Sequence, residues 1–204
     1  MLKLYVAPLS ANSHKIALFL SVLGVPHEIV DMDYTPDSLG AADYLARNPR
    51  GQVPMIEVDG RRIWDSQAIL VYLARAHGGE AWLPLDPLGM AEVMQWLALA
   101  QNEQLYGIAQ ARIARTYPHH DNLVHVRPDR SVPLAHRGLR TMEARLRDHD
   151  WLALDRATIA EMACFSYPAL TAEAGIAIGA YPAVTAWLKR VQALPGYVGM
   201  PGIA

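Results

Sequence analysis

Apolar positions open the chain as a short continuous run, Leu2 to Val6, bounded by Pro8, which predicts a buried strand. The period then changes. Ile16, Phe19, Leu20 and Leu23 fall at i, i+3, i+4 and i+7, one face of a helix that Gly24 closes. His27 to Val30, ahead of acidic Asp31 and Asp33, predicts a second strand, joined to the first through that helix as a βαβ unit. A weaker helical pattern covers Ser38 to Arg47. Pro54 to Val58 and Arg61 to Trp64 flank Asp59-Gly60, a dipeptide suited to the tight turn of a hairpin. Ile69, Tyr72, Leu73 and Ala76 form a third helical stripe, stopped at Gly78-Gly79.

Beyond Gly79 no strand pattern returns. Residues 79–86 form a turn-rich bridge containing Pro84, and Asp86-Pro87 supplies an N-cap followed by proline at the first helical position. Met90, Val93, Met94 and Leu97 begin a long helix running towards Arg115. Leu139, Met142 and Leu146 mark another, and Val184, Trp187, Leu188, Val191 and Leu194 a last one. Thr158-Ile159-Ala160-Glu161 has the form of a capping box, in which a hydroxyl caps the helix and the glutamate reaches back. The pattern predicts an α/β plus all-α protein. A thioredoxin-like domain ordered βαβ-α-ββα occupies about 1–78, a linker 79–86, and an all-helical bundle domain 87–204.

Composition narrows the function classes. With 204 residues, 52% hydrophobic and 19% charged, the chain can build its own core without a disulfide or metal staple. Eighteen basic against 20 acidic residues give a net charge of −2, which offers no electrostatic drive towards nucleic acid or an anionic membrane. Cys164 is the sole cysteine, so an internal disulfide and a CxxC redox pair are both excluded. The longest apolar stretch, Ile16 to Val25, is about half of the ~20 residues that a bilayer span needs. The N-terminus enters a strand pattern directly, without a signal-peptide layout. A soluble, cytoplasmic protein is expected.

Three places could carry chemistry. Ser10-Ala11-Asn12-Ser13 lies between the first strand and the first helix, where unpaired N–H groups and partial positive charge favour a thiolate or another anion. The same residues also suit plain helix capping. Both places where a redox dithiol would sit are serine, which excludes dithiol exchange there. In Gln52-Val53-Pro54 the proline opens a strand, so it is either an edge device or a cis peptide. A cis bond would turn the Val53 backbone outward to pair with a peptide-like ligand. Asp65-Ser66 begins the third helix, either as a cap or as a grip on a carboxylate through Ser66 and on an ammonium through Asp65.

The order of these segments resembles the cytosolic glutathione transferase superfamily, in particular bacterial members of its serine-type classes. The likeness rests on Ser10-Ala11-Asn12-Ser13-His14-Lys15, Asn48-Pro49-Arg50-Gly51-Gln52-Val53-Pro54, Asp65-Ser66-Gln67-Ala68-Ile69 and Thr158-Ile159-Ala160-Glu161. It implies that Ser10 hydrogen-bonds the glutathione sulfur, with Asn12 as a second polar residue beside it. It also implies that Val53 pairs with the cysteinyl unit next to cis-Pro54, that Asp65 and Ser66 grip the γ-glutamyl end, and that Gln52 makes a neighbouring contact. Leu9, Tyr106, Arg112 and Tyr117 would lie towards the electrophile pocket, although packing and helix-surface roles fit them equally. Two departures stand out: Leu39 occupies a place where some members carry a basic residue for the glycyl carboxylate, and the capping box ends in Glu161 rather than aspartate.

The resemblance implies a homodimeric detoxifying enzyme that conjugates glutathione, its co-substrate, to small apolar electrophiles without a metal. Glutathione-dependent disulfide or peroxide reduction and a non-catalytic ligand-binding module are the alternatives. His119, His120, Asp121 and His125 cluster irregularly in a polar stretch that reads as a solvated loop rather than a metal site. Cys164 and Trp187 fall within apolar patterns and read as core.

Overall fold

The computed structural model describes residues 1–33, 35–116 and 127–203. Strand β1 (Leu2–Val6) runs parallel to β2 (His27–Asp31), with Leu2 opposite His27, and antiparallel to β3 (Met55–Val58), with Tyr5 opposite Met55. β3 pairs in turn with β4 (Arg61–Trp64), giving the order β2-β1-β3-β4. Asp59 and Gly60 close the hairpin with φ of 50° and 74°, the two positive values that a type I′ turn requires.

The pleat of β1 sorts its side chains to two cores. Leu2, Leu4 and Val6 face the main core beneath α1 (Ala11–Val22) and α4 (Ser66–Leu73). Tyr5 joins Leu39, Tyr44, Val53 and Met55 in a smaller cluster on the other face. The helix expected over Ser38 to Arg47 is instead two one-turn helices, α2 (Pro36–Leu39) and α3 (Ala42–Leu45). Leu39 and Tyr44 are their buried anchors. Five positions apart, they lie on different sides of a continuous helix, so the chain breaks at Gly40-Ala41 to bury both.

The helical half begins with α5 (Pro87–Leu99), where the Asp86 carboxylate accepts the Gly89 N–H at 2.7 Å. Helical structure continues to Thr116 as the long stripe suggests, but not as one α-helix. Ala100–Ala109 widens to π-helical bonding before α6 (Gln110–Thr116). Within the wide segment Gly107 crosses α7 (Pro128–Leu146) so closely that a Cβ there would stand 2.5 Å from the Ala135 nitrogen. Beyond α8 (Ile159–Ala169), α9 (Pro182–Gln192) places Trp187 in the core with no exposed surface.

α8 is the common support. Residues Ile159 to Pro168 are buried, and α1 and α4 from the first half pack on it together with α5, the π segment and α9. His14 fastens α1 to it, one ring nitrogen 2.9 Å from Ser166 Oγ and the other 2.9 Å from the Val198 carbonyl. Cys164 is fully enclosed, its thiol donating to the Trp96 carbonyl and its pKa pushed up by burial, so it behaves as a core residue. No helix among the described residues is long and apolar enough to cross a membrane.

Glu161 completes the capping box and does more. Its carboxylate accepts Thr158 N–H at 2.8 Å, the Thr158 hydroxyl at 2.9 Å and, through the other oxygen, Leu152 N–H at 2.7 Å. Thr158→Ala, which removes the hydroxyl cap, should cost about 1–2 kcal/mol. Glu161→Ala should cost more, because two buried N–H donors then lose their acceptor at about 1–3 kcal/mol each. Urea midpoints of the two variants test the ranking, and equal losses would contradict it.

Candidate active site

Ser10 caps α1 with extended backbone angles (φ −83°, ψ 114°), and its Oγ accepts the Ser13 N–H at 3.2 Å. With its oxygen engaged as acceptor, the hydroxyl keeps its proton to donate elsewhere. Ser10 and Asn12 both line a cavity of about 390 Å³ that lies between loops of the first half and helices of the second. The Asn12 carbonyl oxygen stands 2.9 Å from Lys15 Nζ and 3.4 Å from the Ser66 hydroxyl. Lys15 is entirely buried, with its ammonium 4.5 Å above the centre of the Tyr167 ring, and burial pushes its pKa down to about 8.

A second wall comes from the loop ahead of β3. The Gln52 carbonyl accepts both Asn48 Nδ2 at 2.6 Å and the Tyr44 hydroxyl at 2.7 Å, while Asn48 Oδ1 takes the Arg50 N–H at 3.1 Å. This triple tie sets the path into Val53-Pro54. That peptide bond is cis, and Pro54 leads into a strand flanked by β1 and β4, so the edge-strand explanation for the proline does not hold. The β1–β3 pairing ends at Met55, which leaves Val53 beyond the ladder and on the cavity wall.

Asp65 supplies the third wall. Its φ of 75° is left-handed, a conformation costing a non-glycine residue about 1–3 kcal/mol unless its surroundings hold it. Here they do. The carboxylate accepts Gln67 N–H at 2.9 Å as the cap of α4, Arg50 Nη1 at 2.7 Å, and Gln101 Nε2 at 3.0 and 3.2 Å. Gln101 belongs to the π-helical segment, so one carboxylate links the two halves at the cavity.

Ser10, Asn12, Gln52, Val53, Pro54, Asp65, Ser66 and Tyr106 are thus brought together on one surface, and Leu39 joins them. Leu9 and Arg112 are not. Leu9 is 43% exposed and outside the lining, and Arg112 is buried away from it. Arg112 Nη1 donates to the Leu9 carbonyl at 3.0 Å and its Nε to Glu173 at 2.6 Å, a strut between α6 and the loop that leads to Ser10. A guanidinium with two separated acceptors is held inward, which helix periodicity does not reveal. Tyr117 and the histidine cluster at 119–125 lie outside the described residues. Arg50, Gln101, Lys15 and Tyr167 carry no signal of their own in the sequence. Arg50 and Lys15 stand inside quoted motifs without a role, and Gln101 and Tyr167 depend on contacts across long stretches of chain.

Comparison with known proteins bears on the family and the fold. Residues 9–76 match a family model described as glutathione S-transferase, N-terminal domain, and residues 127–195 one described as glutathione S-transferase, C-terminal domain. A probable glutathione S-transferase of Oryza sativa subsp. japonica is 31% identical over 95% of this chain and 93% of its own length. The disulfide-bond oxidoreductase YfcG of Escherichia coli is 28% identical over 96% and 92%. A solved glutathione S-transferase from Xanthobacter autotrophicus superposes with a TM-score of 0.90 at 32% identity, covering 99% of this chain and 98% of that one.

Removing the strut tests the local architecture. Arg112→Met leaves the Leu9 carbonyl and the Glu173 carboxylate without their donor and should lower stability by about 1–3 kcal/mol. Arg112→Lys should recover only part of this, because an ammonium lacks the fork that reaches both acceptors. Thermal unfolding of the two variants measures it; full recovery by lysine would show that charge alone matters.

Proposed function

The chain belongs to the glutathione S-transferase family and is an enzyme of that family, and on that premise we propose that it holds glutathione against Ser10, Val53 and Asp65 and transfers its sulfur to small apolar electrophiles. The observation that carries the reading is the Ser10 hydroxyl: its oxygen caps α1, its proton remains to be donated, and it borders the cavity that Asp65 and Val53 also line.

Each residue has a stated task. Asp65 offers a carboxylate to the γ-glutamyl ammonium, and Arg50, paired with it at 2.7 Å, offers a guanidinium to the neighbouring α-carboxylate. The Ser66 N–H at the start of α4 adds a donor for that carboxylate. Val53, beyond the sheet ladder, presents its backbone to the cysteinyl unit, and Gln52 and Pro54 hold it there. Leu39 is buried and apolar, so it contributes no charge to the glycyl carboxylate. Leu105, Tyr106, Ala109 and Ile113 give the helical side of the cavity an apolar lining for the electrophile.

The magnitudes suffice. A thiol with pKa near 8.5 is only a few per cent thiolate at neutral pH. Lowering that pKa by two units takes about 2.7 kcal/mol of preference for the anion. A hydrogen bond to a charged group supplies about 1.5–3 kcal/mol, and a helix start about 0.3–1 kcal/mol more. The nucleophile belongs to the substrate, so Ser10 is neither acylated nor deprotonated. The reading assigns glutathione to a domain over 1–78 and the electrophile to one over 87–204. It also carries a cytoplasmic homodimer with a detoxifying role, whose assembly light scattering checks.

The name of the Escherichia coli relative, together with Asn12 beside Ser10, favours glutathione-dependent disulfide or peroxide reduction as a second reading. Turnover of a mixed disulfide and a hydroperoxide, measured beside a chloronitroaromatic halide, separates the two. For either, Ser10→Ala should lower kcat/KM about 10- to 100-fold, the rate equivalent of one charged hydrogen bond, while glutathione still binds by calorimetry. An unchanged rate removes Ser10 from the mechanism.

A further inference from the structure

Lys15 is a charged side chain with no exposed surface, although lysine is almost never enclosed unless it has a partner. Its polar partner is the Asn12 side chain, at 2.9 Å, and the Tyr167 ring face lies 4.5 Å from the nitrogen. An ammonium has three donors and no acceptor. Of the two ends of the asparagine amide, only the oxygen can therefore face it. The Ser66 hydroxyl approaches the same oxygen at 3.4 Å. With the oxygen engaged from behind, the NH₂ group is the end left to the cavity that Asn12 lines.

We propose that Lys15 is a positioning residue of the sulfur site, its ammonium holding the Asn12 amide with the NH₂ turned to the thiolate. Asn12 then donates beside the Ser10 hydroxyl, and Lys15 acts on the thiolate through that amide. This rests on the cavity being the glutathione site. No bond is made or broken at Lys15.

The device is sensitive to pH. A neutral amine can accept as well as donate, so a deprotonated Lys15 tolerates either face of the amide. The groups facing it are the Cys164 thiol and the Tyr167 ring from α8 and the Asp65 carboxylate at the start of α4, with His14 beside it on α1. Burial holds its pKa at about 8, against the opposing pull of the Asp65 carboxylate. As pH rises through that value the constraint is lost, whereas the sulfur itself ionises more readily. Activity should therefore rise with pH and then fall on a limb that belongs to Lys15.

The test follows the ultraviolet absorbance of the bound thiolate against pH in wild type, Lys15→Met and Lys15→Arg. Lys15→Met, an apolar chain of similar volume, should raise the pKa of the bound thiol by about one unit, a tenfold loss of thiolate at a fixed pH below it. Lys15→Arg should keep the wild-type value and lose the alkaline limb of activity. In an Asn12→Ala background Lys15→Met should add little, because the two act as one unit. In the unsubstituted, glutathione-free protein, the Asn12 side-chain amide NMR signals should shift with the midpoint of the Lys15 amine. An unchanged thiol pKa in Lys15→Met, a full effect without Asn12, an alkaline limb that survives arginine, or amide signals that stay still would each overturn the proposal. The NMR measurement decides it even if the variants fail to fold. If calorimetry finds no glutathione uptake by wild type, the functional reading fails instead; uptake with an unaltered thiol titration sinks Lys15 alone.

Discussion

The Asp65 carboxylate is the interaction on which the cavity's geometry hangs. It accepts from its own helix, from Arg50 on the loop before β3 and from Gln101 on the helical half. A residue with positive φ would relax if left to itself; three donors around one carboxylate hold it. Because the loop that ends in Val53-Pro54 and the π-helical segment are both tied to it, their separation across the cavity is set by hydrogen bonds rather than by loop chance. In the proposed reading the same carboxylate faces the ammonium of the ligand, and the guanidinium paired with it faces a carboxylate.

Caps with a second task recur through the molecule. Ser10 satisfies an N–H of α1 through its oxygen, which leaves its proton available for donation. Glu161 satisfies its own helix start and reaches back to Leu152. A helix start exposes unpaired N–H groups whatever it is used for. The side chain that pairs with one of them is already at the positive end of a dipole, and so at a place suited to anions. Capping and ligand binding thus select the same residue types, and the surroundings decide which capped end is a site. Those of α8 are buried in the core, whereas those of α1 and α4 open on the cavity.

The widened segment Ala100–Ala109 has a comparable double effect. A π-helical turn shifts side chains around the axis relative to an α-helix. It brings Gln101 to Asp65 and Leu105, Tyr106 and Ala109 to the cavity, while Gly107 lets α7 cross closely behind. Polar and apolar walls are therefore supplied by one element.

What the sequence determined by itself was whatever depends on near neighbours. The period of Leu2 to Val6, the stripe of Ile16, Phe19, Leu20 and Leu23, the Asp59-Gly60 turn and the caps at Asp86 and Thr158 are all satisfied within a few residues, so local chemistry specifies them. The order of Ser10, Val53-Pro54 and Asp65-Ser66 was legible for the same reason, each being a loop-to-element junction. Packing across the chain was needed to turn Arg112 inward to Leu9 and Glu173, to bring Gln101 to Asp65, to seal Lys15 between Asn12 and Tyr167, and to break the stretch after Pro36 into two short helices. Each of these depends on partners or packing surfaces supplied from other parts of the chain. An arginine, a glutamine or a lysine on a helix looks alike to its neighbours whether it meets water or a buried acceptor, and only the packed fold distinguishes the two.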